Sequence, residues 1–124
     1  MKTIILDKPG QFQLAETEPP AGPLPGQAVV RVRRVGICGT DIHAFKGDQP
    51  YFSYPRILGH EWGVEVVSLS SDDSSLKAGD RCAVEPYWNC GVCIACRRGR
   101  PNCCVELKCL GVHTDGGMRE LITV

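Results

Sequence analysis

Five of the eight cysteines in this 124-residue chain fall in one stretch, "NCGVCIACRRGRPNCC", between Asn89 and Cys104. Cys90, Cys93, Cys96 and Cys104 follow the spacing C-x2-C-x2-C-x7-C. Two-residue gaps let consecutive thiolates turn toward one centre, and the longer gap lets the last close a tetrahedron. That is the donor set of a closed structural zinc site. Four thiolates on one zinc ion leave a local charge of about −2, which Arg97, Arg98 and Arg100 in the same loop could offset. Gly91 and Gly99 permit tight turns and Pro101 stiffens the return. Cys103 competes with Cys104 as the fourth ligand, and Cys104 is preferred. Four thiolates can also hold an iron–sulfur cluster. The ferredoxin run, however, ends in a three-residue gap followed by proline, whereas here the gap is seven and Val105 follows.

A second set of groups lies upstream. "GICGTDIH" carries Cys38, and "LGHEWG" carries His60 and Glu61. The separation of Cys38 and His60 does not itself define a site. Their neighbours do more, because Gly36, Gly39 and Gly59 allow unusual φ angles and close backbone approach. On an extended segment adjacent side chains point to opposite faces. His60 and Glu61 are therefore not both ordinary ligands of one ion, and Glu61 is expected behind the site or as an occasional ligand. Thr40 and His43 are three apart, so a short helix would put them on one side. Beside a metal-bound Cys38 they could pass a proton outward. Their plainer roles are a helix cap and a solvated imidazole.

Fourteen basic residues balance fourteen acidic ones. That gives no electrostatic footprint for nucleic acid or an anionic membrane. No apolar run approaches the ~20 residues of a membrane span. The start, "MKTIILDKPG", has a short apolar run cut off by Asp7 and does not read as a secretory signal. A cytoplasmic location is expected, and with it metal ligation of the clustered cysteines rather than disulfides.

Fourteen glycines and nine prolines favour a turn-rich, mainly β domain, large enough to form a core without metal. Strands are expected at Met1–Leu6 and Phe12–Glu18 as a hairpin, in "QAVVRVRRV", at Glu61–Ser70, at Asp80–Tyr87 and in "MRELITV". In the third, Val30 and Val32 should face inward, with Arg31 and Arg33 outward. Pro19–Gly26 reads as a loop, as does the polar "SDDSSLKAGD". "TDIHAFKG" should form a short helix with Thr40 or Asp41 near its start and Gly47 closing it. "CIACRRG" could make one further turn. These elements suggest a barrel or sandwich. No Gly-x-Gly-x-x-Gly follows a strand, so no dinucleotide-binding unit is expected within these residues.

The stretches "GICGTDIHAFKG", "YPRILGHEWGVEVV", "LKAGDRCAVEPYWNCGVCIACRRGRPNCC" and "LGVHTDGGMRELITV" together resemble the zinc-dependent medium-chain alcohol dehydrogenases, in the family's order. The resemblance covers nearly the whole chain. It is closest to the branch of polyol, threonine and sugar-acid dehydrogenases, including those of the L-galactonate type. It implies a GroES-like β-barrel over residues 1–124, the N-terminal catalytic domain, with a zinc lobe at about 88–110. Cys38 and His60 would then ligate a catalytic zinc with Glu61 beside it. Thr40 and His43 would form the proton relay, and Cys90, Cys93, Cys96 and Cys104 would hold a structural zinc. Tyr87 or Trp88 would lie near the substrate pocket, with Tyr51 and Phe52 weaker candidates. Cys82, Cys109 and His113 match no ligand position.

The implied reaction is oxidation of a secondary alcohol, with hydride passing to NAD or NADP. The partners would be a small-molecule alcohol and, for a full-length enzyme, further copies of itself. The family's cofactor domain, and a later carboxylate that completes the catalytic zinc shell, are expected beyond Val124. A stand-alone zinc-binding module is the alternative.

Overall fold

The computed structural model describes residues 1–70 and 75–124. Part of the expected polar loop, 71–74, lies outside the described residues. β1 (Lys2–Lys8) and β2 (Gln11–Glu16) form an antiparallel hairpin. Its turn uses Gly10 at φ 78°, a left-handed conformation that only glycine adopts cheaply. β3 (Ala28–Gly36), β4 (Glu61–Leu69), β5 (Arg81–Ala83) and β8 (Leu121–Thr123) build a four-stranded antiparallel sheet in the order β5-β4-β3-β8. β6 (Tyr87–Trp88) and β7 (Lys108–Cys109) pair separately and close the neck of the cysteine lobe. Helix α1 (Gly39–Lys46) follows β3, and α2 (Ile94–Arg97) is a single turn inside the lobe. No described helix is long and apolar enough to cross a membrane.

The mainly β architecture expected from turn density is present, with two differences of detail. The expected strand Asp80–Tyr87 is two strands, β5 and β6. Pro86 has no N–H to continue the ladder, and its carbonyl instead accepts from Leu110 N–H at 2.9 Å. In β3, Val30 is buried, Val32 half-buried, and Arg31 and Arg33 exposed, as the alternation predicts. The alternation is broken twice, however. Val29 and Val30 are both inside, where the register shift carries its extra residue, Val67, in β4, and Arg33 and Arg34 are both outside, where Arg33 is the extra residue of β3. Each extra residue moves the next side chains of the strand to the opposite face.

Two apolar clusters support the candidate sites. Val30, Trp62, Val64, Val66, Leu110 and Ile122 form one beneath the sheet. Leu6, Ala44 and Leu58 form the other, with Phe52, Tyr54 and Met118 against it. The second joins the hairpin, α1 and the segment that leads into His60. Phe52 therefore packs in a core. Tyr54 Oη donates to the Ala44 carbonyl at 2.6 Å and ties that segment to the helix.

Leu6 is fully buried at the centre of the second cluster. Leu6→Ala is expected to destabilise the domain by about 2–5 kcal/mol, read as a lower urea midpoint with unchanged slope. A loss well under 1 kcal/mol would mean that the hairpin is not anchored there.

Candidate metal centres

The lobe folds its four spaced cysteines onto one point. The Sγ atoms of Cys90, Cys93, Cys96 and Cys104 all lie within 4.8 Å of one another. The chain turns through Gly91 and Gly99, both at positive φ, with α2 between Cys93 and the second turn. A 3-10 turn at Pro101–Cys103 then swings Cys104 back. Cys104 is buried in the cluster, whereas Cys103 is exposed and outside it. Cys93 N–H donates to Cys90 Sγ at 3.3 Å, Cys90 N–H to Cys104 Sγ at 3.3 Å, and Glu106 N–H to Cys104 Sγ at 3.4 Å. Amide donors on sulfur favour the thiolate.

Cys90, Cys93 and Cys96 are shifted in different directions. Cys93 is brought down to about 6, chiefly by backbone N–H groups of Cys96 and Val105. Cys90 is lowered by the N–H groups of Val92 and Cys93. Cys96 is pushed up to about 12, first by desolvation and then by hydrogen bonds with Cys93 and Cys104. A divalent cation is the partner that would let all four ionise together.

The second cluster is built by a helix cap. Cys38 ends the extended run out of β3 and is the N-cap of α1, with its Sγ accepting from Thr40 N–H at 3.3 Å. Asp41, three residues on, completes a capping box by accepting from Cys38 N–H at 3.0 Å. Its other oxygen accepts from Gly59 N–H at 3.3 Å. That pins the residue before His60 beside the helix start. His60 Nε2 lies 3.0 Å from Cys38 Sγ. His60 Nδ1 is buried without a hydrogen-bond partner and faces Asp41 Oδ1 at 3.8 Å. One ring nitrogen of His60 thus faces the carboxylate and the other the sulfur. Sulfur and imidazole are the donors that zinc takes.

Asp41, which sequence reasoning placed only at a helix start, joins this group. It is 3% exposed. A buried carboxylate with both oxygens engaged is costly unless its partners need it. The third member of the cluster with Cys38 and His60 is Asp41; Glu61 is not part of that group among the described residues. Glu61 opens β4 opposite Gly36, and its carboxylate lies over that glycine where a side chain would collide with it. It thus sits behind the turn that carries Cys38. Thr40 is half-buried in the first turn of α1. His43 is exposed, with Nδ1 2.9 Å from Asp48 Oδ1.

With both centres in place, the chain can be set beside known proteins. A model of the alcohol dehydrogenase GroES-like domain matches residues 24–124. The chain belongs to this family. It is 45% identical over 126 residues to L-galactonate-5-dehydrogenase of Escherichia coli K12, covering all of this chain and 36% of that relative. It is 43% identical over 127 residues to D-altritol 5-dehydrogenase of Agrobacterium fabrum, covering all of this chain and 37% of that protein. Among solved structures it superimposes, at a TM-score of 0.88 and 41% identity, on an alcohol dehydrogenase of Escherichia coli CFT073 complexed with NADH. That match covers all of this chain and 36% of the other. The chain therefore spans little more than a third of the length of these relatives.

Tyr87 and Trp88 are both half exposed on β6. Tyr51 is largely exposed, its ring 6.4 Å from that of His113. His113 Nδ1 accepts from Cys109 N–H at 3.0 Å. Burial, then the negative charges at Cys38, Glu85 and Asp41, pushes the Cys109 thiol up to about 11. Cys109 thus stays neutral at pH 7.

Metal analysis after dialysis of the zinc-loaded chain should give about one tightly held zinc in the lobe. Cys93→Ser should lose that equivalent, whereas Cys103→Ser should keep it. Full retention in Cys93→Ser would remove the lobe as a metal site.

Proposed function

We propose that this domain is the metal-binding catalytic part of a dehydrogenase that oxidises a secondary alcohol, of the polyol or sugar-acid class, with a nicotinamide as hydride acceptor. The observation that carries this reading is the Cys38–His60 pair, with a buried Asp41 fixing both the cap that presents Cys38 and the residue before His60. A purely structural zinc module needs only the lobe. It has no use for a second, half-buried thiol and imidazole at a helix start.

Cys38 and His60 would hold the catalytic ion, and Cys90, Cys93, Cys96 and Cys104 the structural one. When bound, zinc would supply Lewis-acid polarisation of an alcohol oxygen, and NAD or NADP the hydride acceptor. Within this chain, Asp41 orients His60, and Glu61 sets the field behind the turn that carries Cys38. Thr40 takes the substrate's hydroxyl proton, and His43, exposed on the same side of α1, returns it to water. Tyr87 and Trp88 border the substrate. The zinc-lobe segment, about 88–110, acts as a self-contained brace.

The likeness to L-galactonate and D-altritol dehydrogenases supports the substrate class, and the NADH complex of a relative supports the acceptor. Nicotinamide binding is assigned mainly to a part of the longer protein that these residues do not include. The whole enzyme would be a cytoplasmic homo-oligomer.

Two outcomes test this assignment. The 124-residue chain alone, with zinc, NAD or NADP and a panel of polyols and sugar acids, should give no turnover. The positioning of a nicotinamide against substrate contributes roughly 7–11 kcal/mol in favourable cases, and this chain lacks the glycine-rich unit that supplies it. Turnover that vanishes in Cys38→Ala would contradict that division of labour. In a full-length enzyme, Glu61→Gln should lower activity more than zinc content, whereas Asp41→Asn should lower zinc affinity about 10–100-fold. A Glu61→Gln enzyme that loses zinc and activity together would make Glu61 a ligand.

A further inference from the structure

The motif "GVHTDGG", Gly111 to Gly117, supplies no ligand to either centre, yet it encloses the backbone that delivers His60. Two backbone bonds from it, and a third from the next residue, Met118, reach the segment before His60. Gly116 N–H donates to the Ile57 carbonyl at 2.7 Å, Gly117 N–H to that of Gly59 at 3.1 Å, and Met118 N–H to that of Leu58 at 3.0 Å. Asp115 Oδ1 accepts from Ile57 N–H at 3.2 Å. The turn folds on itself through Gly111 N–H to the Thr114 carbonyl at 2.8 Å. A β-carbon at Gly111 or Gly116 would overlap the Gly59 carbonyl oxygen, and one at Gly117 would overlap the Trp62 ring. The Gly59 peptide is therefore held from two directions, by Asp41 on its N–H and by the glycine turn on its carbonyl.

We propose that the Gly111–Gly117 turn is a positioning element for His60 and sets the metal affinity of the Cys38–His60 centre without touching the ion. It rests on the proposed metal role of Cys38 and His60 in one respect only, the consequence for affinity. Gly116 carries the sharpest form of the claim. Its φ is not in the left-handed region, so alanine there acts through contact with the Gly59 and Leu58 carbonyl oxygens and the Gly111 Cα rather than through its own backbone. The added methyl must push those two carbonyls away, and His60 follows them directly. The four-cysteine lobe lies on a separate segment and should not respond.

The test uses the 124-residue chain with cobalt(II) as the probe. The metal-free protein is also examined by long-range proton–nitrogen NMR of the His60 ring. Gly116→Ala should shift the His60 ring signals. It should also weaken the second cobalt equivalent about 10–100-fold, the range for groups that orient a ligand, with the lobe's equivalent unchanged. Val66→Ala, in the other core cluster, should lower the unfolding midpoint while leaving the second equivalent at wild-type affinity. Equal weakening in Val66→Ala would assign the effect to general loss of stability and overturn the proposal. Wild-type His60 signals and cobalt affinity in Gly116→Ala would overturn it too. If the wild-type chain takes no second cobalt but Gly116→Ala still displaces the His60 ring, positioning stands and the metal assignment fails. If Gly116→Ala does not fold, Asp115→Ala removes the Ile57 acceptor without adding volume. It should weaken the second equivalent about tenfold, and unchanged affinity there would count against the turn.

Discussion

The Asp41 carboxylate is the interaction on which the rest of the candidate catalytic centre depends. It is buried, and burying a charge without partners costs several kcal/mol. Here it has partners on both sides. One oxygen closes the start of α1 through Cys38 N–H, and the other holds Gly59 N–H beside His60. Two distant parts of the chain thus meet at one side chain. A helix start fixes the thiol, and the end of an extended segment fixes the imidazole. The same oxygen that holds Gly59 faces His60 Nδ1.

Much of the fold is legible in the sequence because β structure writes its period into composition. The hairpin, β3, β4, the short helix with its closing Gly47 and the final strand fall where alternation and turn residues put them. The two register shifts between β3 and β4 are not legible. "VVRVRRV" alternates only in part, and only its pairing with β4 shows that one extra residue sits in each strand. The break between β5 and β6 is signalled by Pro86, a residue that ends ladders.

The two centres differ in how far the sequence exposes them. In the lobe, ligand spacing is local, so Cys90, Cys93 and Cys96 identify one another. Cys103 and Cys104 are adjacent, and only the 3-10 turn shows which one swings inward. The second centre is assembled across the sheet. No spacing connects Cys38 to His60, and the familiar motifs of the family do that work instead. Asp41 is hidden for a different reason. An acidic residue three positions after a helix cap is ordinary capping chemistry, and its burial against Gly59 is a tertiary fact. The glycines of "GVHTDGG" likewise look like turn residues until the Gly59 carbonyl is found against them.

The two candidate centres also differ in how open they are. The lobe is closed, its four donors on one local loop, and its amide-to-sulfur bonds suit a permanent ion. The Cys38–His60 centre has two donors and an orienting carboxylate, which leaves room for further ligands, as an open site requires. The central claim is that one chain carries both. An anomalous-scattering map at the zinc edge, from crystals of the zinc-loaded protein, tests it most directly. It should show one peak enclosed by Cys90, Cys93, Cys96 and Cys104 and a second between Cys38 Sγ and His60 Nε2. A lobe peak alone, with Cys38 and His60 in direct contact and no density between them, would contradict the account.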